Sequence, residues 1–476
     1  MAGRGRLISL LVVAVAIAAA GGLAIVWGGN PVASPIPAEG PSGGQPRGSA
    51  GTSARAQGEP TAGSIAVIDP SGSLSVVDSS GRSEVLSDGT GVAFGFPAWS
   101  PDGSRIAEVA GGANETSISV YEVRSGATDP SSGSAVIFRS ATARPFYLYW
   151  APDGRTLSFL ATESHGLSLR IVPAGTGAPL DASGAGTVIR RGEPLYYDWI
   201  GADRLLLHVG TGADAFLGEV GLDGASAAPV LDRPGTFRSA TLSQDGRYLA
   251  YVRAGAGGRD AVVVASRDGS SEHTVPVFGI AAVVFSPAGD SVASIGLDRP
   301  GQTGLAFPVG PLRLIDAHSG ASRTLLDGLV VGFFWSPDGR TIAALRVHVA
   351  GGASANAGPI LAAAPISSHM ATPSASPSAP PGAPPSAPPT EVRVVFVDVA
   401  TGEIRSQRAV QPGRRFLAEL LPYFDQYALS HRVWSPDSSA ILLPLVDASG
   451  HTQLVALRPD GGNILAIEGE AGFWSP

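Results

Sequence analysis

The sequence has 476 residues, 44% of them apolar, with 63 Gly, 39 Pro and only 15% charged residues. That balance provides for a large core and many turns, and it excludes a protein built from long solvated helices. There is no cysteine, hence no disulfide, thiolate metal site or cysteine nucleophile, and the 32 basic residues are all Arg, so no Schiff-base or P-loop lysine exists.

In chain order, residues 1–6 read as a short cytoplasmic segment. Arg4 and Arg6 precede the uncharged run Leu7–Trp27, long enough as a helix to cross a hydrocarbon core of about 30 Å. The two Arg predict a cytoplasmic N-terminus, and Trp27 stands where an interfacial aromatic belongs. The expectation is a single transmembrane helix. The alternative is a cleaved signal peptide with a small-residue site at Ala18-Ala19-Ala20. Either way the remainder is expected on the extracytoplasmic side. Residues 28–62 are mostly Gly, Pro, Ser and Ala, too poor in large apolar side chains to offset the entropy of ordering; they read as a disordered linker.

From residue 63 one pattern recurs: an apolar strand ending in an aromatic, then Ser-Pro-Asp-Gly, then a second apolar strand. It stands at Trp99-Ser100-Pro101-Asp102-Gly103, at Trp150-Ala151-Pro152-Asp153-Gly154 and at Trp335-Ser336-Pro337-Asp338-Gly339. Trp434-Ser435-Pro436-Asp437-Ser438 is close, and weaker copies occur at Trp199, Leu242 and Phe285. A truncated copy ends at Trp474. The intervals between these anchors are 51, 49, 43, 43, 50, 99 and 40 residues. Such a period, with several short strands in each, predicts β-propeller blades of four antiparallel strands. Pro presets φ for a type I turn, Asp tolerates the next position and Gly takes the positive φ that returns the chain. The repeated Trp and Asp are therefore assigned as inter-blade fillers and turn formers. The repeat resembles the TolB-type family of WD-like propellers over roughly residues 64–476. That resemblance implies a propeller fold, in a family that includes periplasmic scaffolds and the propeller domains of prolyl-oligopeptidase-type peptidases. No catalytic domain follows Trp474 here.

The ends read as complementary. Residues 64–86 supply three strand-like runs without a leading one, and Trp474 ends a leading strand with nothing after it. Pairing them closes a ring of eight blades; seven is the count if they do not pair. The interval of 99 residues holds a Pro-rich insertion, 350–390, expected to be extended and unpacked.

Little points to a reaction. No catalytic residues, cofactor or metal are assigned: no two of the eight His stand within four residues of each other. The net charge of −8 leaves no basic face for nucleic acid. A second long connection, Gln411–Leu429, carries Arg and aromatics and falls at the same end of the blades as the Pro-rich insertion. Loops on rigid scaffolds carry function, and Arg with aromatics is the composition of binding hot spots. Arg144, Arg191 and Arg238, each entering a leading strand from that end, with Tyr423, Phe424 and Tyr427, form the candidate ligand-binding set. The alternative for the aromatics is a short amphipathic helix packed on the propeller. The expected function is a membrane-anchored, non-catalytic scaffold for a protein, peptide or cell-envelope glycan. A hydrolase or lyase at the central channel mouth is the rival.

Overall fold

Strands begin where the repeat ends its turns. The computed structural model describes residues 57–58, 63–88, 92–93, 95–111, 114–123, 134–175, 186–211, 214–225, 234–235, 238–300, 307–349 and 390–476. Nearly all of these belong to one unit, residues 53–347 with 392–476. The transmembrane expectation, most of the linker and the Pro-rich insertion lie outside the described residues, among which no helix is long and apolar enough to cross a membrane.

The Trp150 repeat shows the unit of construction. Arg144–Trp150, Thr156–Glu163, Gly166–Pro173 and Thr187–Arg191 form an antiparallel sheet in chain order. The Trp99 and Trp199 repeats build similar sheets, the latter with three described strands. From Thr241 to Val410 the sheets are continuous. Glu272–Phe285 and Ser322–Trp335, 14 residues each, serve as the last strand of one sheet and the leading strand of the next. Register shifts between Phe278 and Ala282, and between Val330 and Gly332, mark where each passes over. The fold is all-β and of propeller type.

The termini meet as expected. Ala471–Trp474 pairs with Ile65–Ile68, Trp474 opposite Ile65, and Leu74–Val77 and Ser83–Ser87 complete that sheet. The linker expectation needs one amendment. Gln57–Gly58 pairs with Ala466 and Leu465 on the outer strand of the neighbouring sheet, because a free sheet edge offers unpaired backbone groups that an extended segment can take.

The repeated turn is more connected than its sequence suggests. Gly103 takes φ +69° and its N–H donates to Ser100 O at 2.9 Å. The Ser100 hydroxyl donates to Asp102 Oδ1 at 2.6 Å and accepts from Arg105 N–H at 2.9 Å. Ser243, Ser336 and Ser435 repeat both bonds. In the Phe285 copy, which has Ala288 in place of the acid, Ser286 turns to Asp290 instead, at 2.7 Å. The Ser100 bond holds the Asp102 carboxyl down at about 2.

The repeated Trp also does more than fill. Four of the indole N–H groups reach back to the preceding sheet, to the carbonyl just before that sheet's own anchor. Trp150 donates to Ala98 O at 3.0 Å, Trp434 to Phe334 O at 3.1 Å, Trp335 to Val284 O at 3.3 Å and Trp99 to Phe473 O at 3.0 Å. Trp199 makes the link through the Ser158 hydroxyl, which itself donates to Tyr149 O. Between the sheets lie apolar layers, such as the one that sets Leu148, Trp150 and Phe159 against Ala98, Ala107 and Phe138.

Candidate functional site

The connection between Val410 and Trp434 is where the chain leaves the blade pattern. Pro412 bridges to Leu445, after which come a π-helical turn, Phe416–Leu420, a 3-10 turn, Leu421–Tyr423, and a short helix, Phe424–Ser430. Phe416, Leu420, Leu421, Phe424 and Tyr427 are all buried. Their spacings of three and four place them on one helical face, so the segment folds as an amphipathic plug.

What it packs against shows where it sits. Phe424 contacts Phe333 and Phe334 of the Trp335 sheet, and a Cβ on Gly332 would stand 2.6 Å from Leu421 Cδ1. Tyr427 meets Phe96 edge-on at 5.2 Å, from the Trp99 sheet, and Tyr147 at 5.2 Å, from the Trp150 sheet. His431 lies 4.7 Å from Phe473 of the closing sheet. The Gln426 side chain accepts from Tyr197 N–H at 3.2 Å and donates to Tyr197 O at 2.8 Å. It also accepts from Ser239 Oγ at 2.9 Å, while Tyr147 OH donates to Gln426 O at 2.7 Å. A segment this short touches the leading strands of so many sheets only because those strands converge. The plug therefore fills the space they surround.

The plug carries ionisable side chains into that space. Asp425 is 1% exposed; its Oδ2 accepts a long 3.4 Å bond from Ser239 N–H, and Oδ1 has no partner of bonding geometry among the described residues. Burial pushes its pKa up, opposed by Arg238. His431, also buried, has its pKa pushed down to about 3 and is neutral. Beside the plug, Asp198 accepts from Tyr149 OH at 3.0 Å and from Trp199 N–H at 2.8 Å, and burial raises it to about 6. Tyr147 holds a left-handed φ of +48°, rare for a bulky residue.

The candidate ligand-binding set is divided by this arrangement. Phe424 and Tyr427 are inside the plug interface, leaving Tyr423, 41% exposed, as the aromatic of the three that reaches solvent. The amphipathic spacing that buries them takes them out of any surface patch. The Arg238 guanidinium lies 4.6 Å from the Tyr423 ring centroid and donates to Tyr196 OH at 2.9 Å, and it is mostly buried. Arg191 pairs with Glu163 at 3.2 Å, a carboxylate also bonded to Ser168 and Arg170. Arg144, opposite Thr162, is exposed at the same end of that sheet as the turn following Glu163. The structure thus brings Arg238 and Tyr423 together and sets Arg144 and Arg191 apart, on the Trp150 sheet. Sequence reasoning missed Gln426, Asp198 and Tyr147, which no motif marks. No group of three or more acidic or His side chains among the described residues is placed to hold a metal ion.

Fold and site together define a class: an all-β, propeller-type protein whose leading strands close around a helical segment of its own chain. No family model and no curated protein matches the chain. Among solved structures it is similar to TolB from Acinetobacter baumannii, at 17% identity over 56% of this chain and 64% of that one, with a TM-score of 0.35. It is similar also to AztD from Citrobacter koseri, at 12% identity over 87% and 97% (TM-score 0.47), and to the dihydro-heme d1 dehydrogenase NirN, at 14% over 89% and 77% (0.46). The chain spans less than two thirds of the TolB structure.

Proposed function

We propose that this chain is a membrane-anchored, extracytoplasmic β-propeller of eight blades that binds a protein, peptide or cell-envelope glycan without transforming it. The observation that carries the reading is the plug. A propeller acting on a substrate at its axis needs an open cavity with convergent polar groups, and here the chain's own Phe424, Gln426 and Tyr427 take that space. A hydrolase or lyase at the channel mouth would first have to displace them. The anchor part of the proposal rests on Leu7–Trp27 with Arg4 and Arg6 before it. The binding part rests on the end of the sheets that presents Arg144, Arg191 and the Tyr423–Arg238 stack, where guanidinium and aromatic groups suit an anionic partner group.

The test uses the full chain in membranes, with solubilised envelope protein and peptidoglycan fragments as separate probes. Replacing Arg144 and Arg191 by Ser and Tyr423 by Ala is expected to abolish capture of one probe while leaving the melting temperature unchanged. Replacing Asp102 and Asp338 by Ala, in turns at the opposite end, is expected to lower stability and leave capture intact. If only the turn variants lose the probe, the binding surface lies at the other end. N-terminal sequencing of the membrane fraction checks the anchor: a released mature chain starting near Gly21 overturns it.

A further inference from the structure

We infer that the space between the leading strands is a latent peptide-binding site, occupied in cis by the plug, and that it takes a helical peptide presenting a Gln between two aromatics. The inference rests on the binding-protein reading only in making the ligand a peptide.

The way Gln426 is held supports it. Its side-chain amide pairs with both the N–H and the C=O of Tyr197, as a neighbouring strand would, and takes a further bond from Ser239 Oγ. Its main-chain carbonyl takes Tyr147 OH. Two sheets thus converge on one primary amide and a third on the same residue's main-chain carbonyl, with Phe424 two residues before it and Tyr427 directly after it seated in aromatic pockets. This is how a site reads a ligand: a few convergent polar groups within an apolar, aromatic lining.

The plug is also less settled than a core element. The Asp425 carboxyl is buried and its Oδ1 has no partner among the described residues, a desolvation cost that the seated plug carries and a withdrawn one does not. The segment changes from π to 3-10 to α geometry within Phe416–Ser430, and π turns concentrate at functional sites. Tyr147, which grips the plug, is held at a left-handed φ, and such strain persists only where the surroundings enforce it. Withdrawal of the plug would remove the buried carboxyl from the axis and release Tyr147, and would leave Tyr147, Tyr197, Ser239 and the Phe333 pocket open to a peptide of the same pattern.

The test supplies the plug in trans. In the full chain, residues 414–430 are replaced by a Gly-Ser linker, and a labelled synthetic peptide covering residues 412–431 is titrated in by fluorescence anisotropy. Saturable binding is expected, at least tenfold weaker for the same peptide carrying Gln426→Ala. A folded plug-less chain that binds neither peptide, or both equally, overturns the inference. Should that chain not fold, the unmodified protein decides. Trypsin cleavage after Arg414 is expected to proceed under native conditions with a urea dependence much smaller than that of global unfolding, and to accelerate in Gln426→Ala. Cleavage that tracks global unfolding in both would show a permanent core and overturn the inference. Envelope capture at the Arg144 end enters neither arm, so the two readings fail independently.

Discussion

Trp150 and Trp474 occupy the same place in the repeat and differ in one atom's surroundings. The Trp150 indole N–H donates to Ala98 O, whereas the buried Trp474 Nε1 has no partner among the described residues. Trp150→Phe removes that buried bond, which costs about 0.5–1.5 kcal/mol. Trp474→Phe removes an unsatisfied donor along with part of the ring, so it is expected to be the milder change. Urea unfolding of the two variants makes the comparison. A second prediction follows from Asp198. Its folded pKa, about 6, lies above the ordinary 3.8 because burial disfavours the anion. The stability this group contributes is therefore full below about pH 4 and is lost as pH rises through 6. Asp198→Asn keeps an acceptor for Tyr149 and removes the charge. It is expected to raise stability at pH 7 by roughly 2–3 kcal/mol and to flatten the profile between those values, read from thermal melts across pH.

At the scale of elements, the recurring turns made most strands legible. The three runs expected within residues 64–86 are strands at Ile65–Ile68, Leu74–Val77 and Ser83–Ser87. Glu272–Phe285 runs on without a break because nothing in its composition separates the last strand of one sheet from the first of the next. The plug was legible as an amphipathic helix but not as a plug. Apolar spacing says that one face is buried and is silent on what buries it, and the groups that seat Gln426 come from positions 147, 197 and 239. The Ser of the repeat was overlooked for a related reason. A hydroxyl that bonds within its own turn leaves no pattern beyond its own recurrence, and Ala151 interrupts even that. Residues 350–389 give the prediction proper to this scale. They carry no charged side chain and many Pro, and they join Thr341–Val349 to Thr390–Asp398. Each doubling of loop length costs only about 0.6 kcal/mol. Deleting residues 352–388 is expected to move the melting temperature by a few degrees at most, and loss of soluble expression would show that the segment packs.

For the molecule as a whole, a chain without cysteine has to hold its sheets together by other means. Two devices do so, namely the indole bonds from one sheet to the one before it and a plug that contacts the leading strands of many sheets at once. They fasten the sheets at different radii, one between neighbours and the other around the centre. Loosening the plug is therefore expected to affect distant sheets. In Gln426→Ala, hydrogen exchange should rise at the leading strands that carry Tyr147 and Tyr197 together. A rise confined to one of them would show that the sheets respond separately.

The sheet shared by the two ends of the described chain also has a kinetic meaning. Trp474 faces Ile65, so this pairing, like that of Gln57–Gly58 with Leu465 and Ala466, joins strands about 400 residues apart, whereas the hairpins of the other sheets are local and can form as soon as their own residues are free. Contacts so distant in sequence are slow to find, and until they do, Ile65–Ile68 has an open edge that another chain could take. Synthesis runs from the first of these strands to the last, so that edge waits until Ala471–Trp474 has been made. The period of greatest exposure to aggregation thus lasts until that strand arrives, and a chaperone that covers residues 65–68 would shorten it more than one acting on any of the local hairpins.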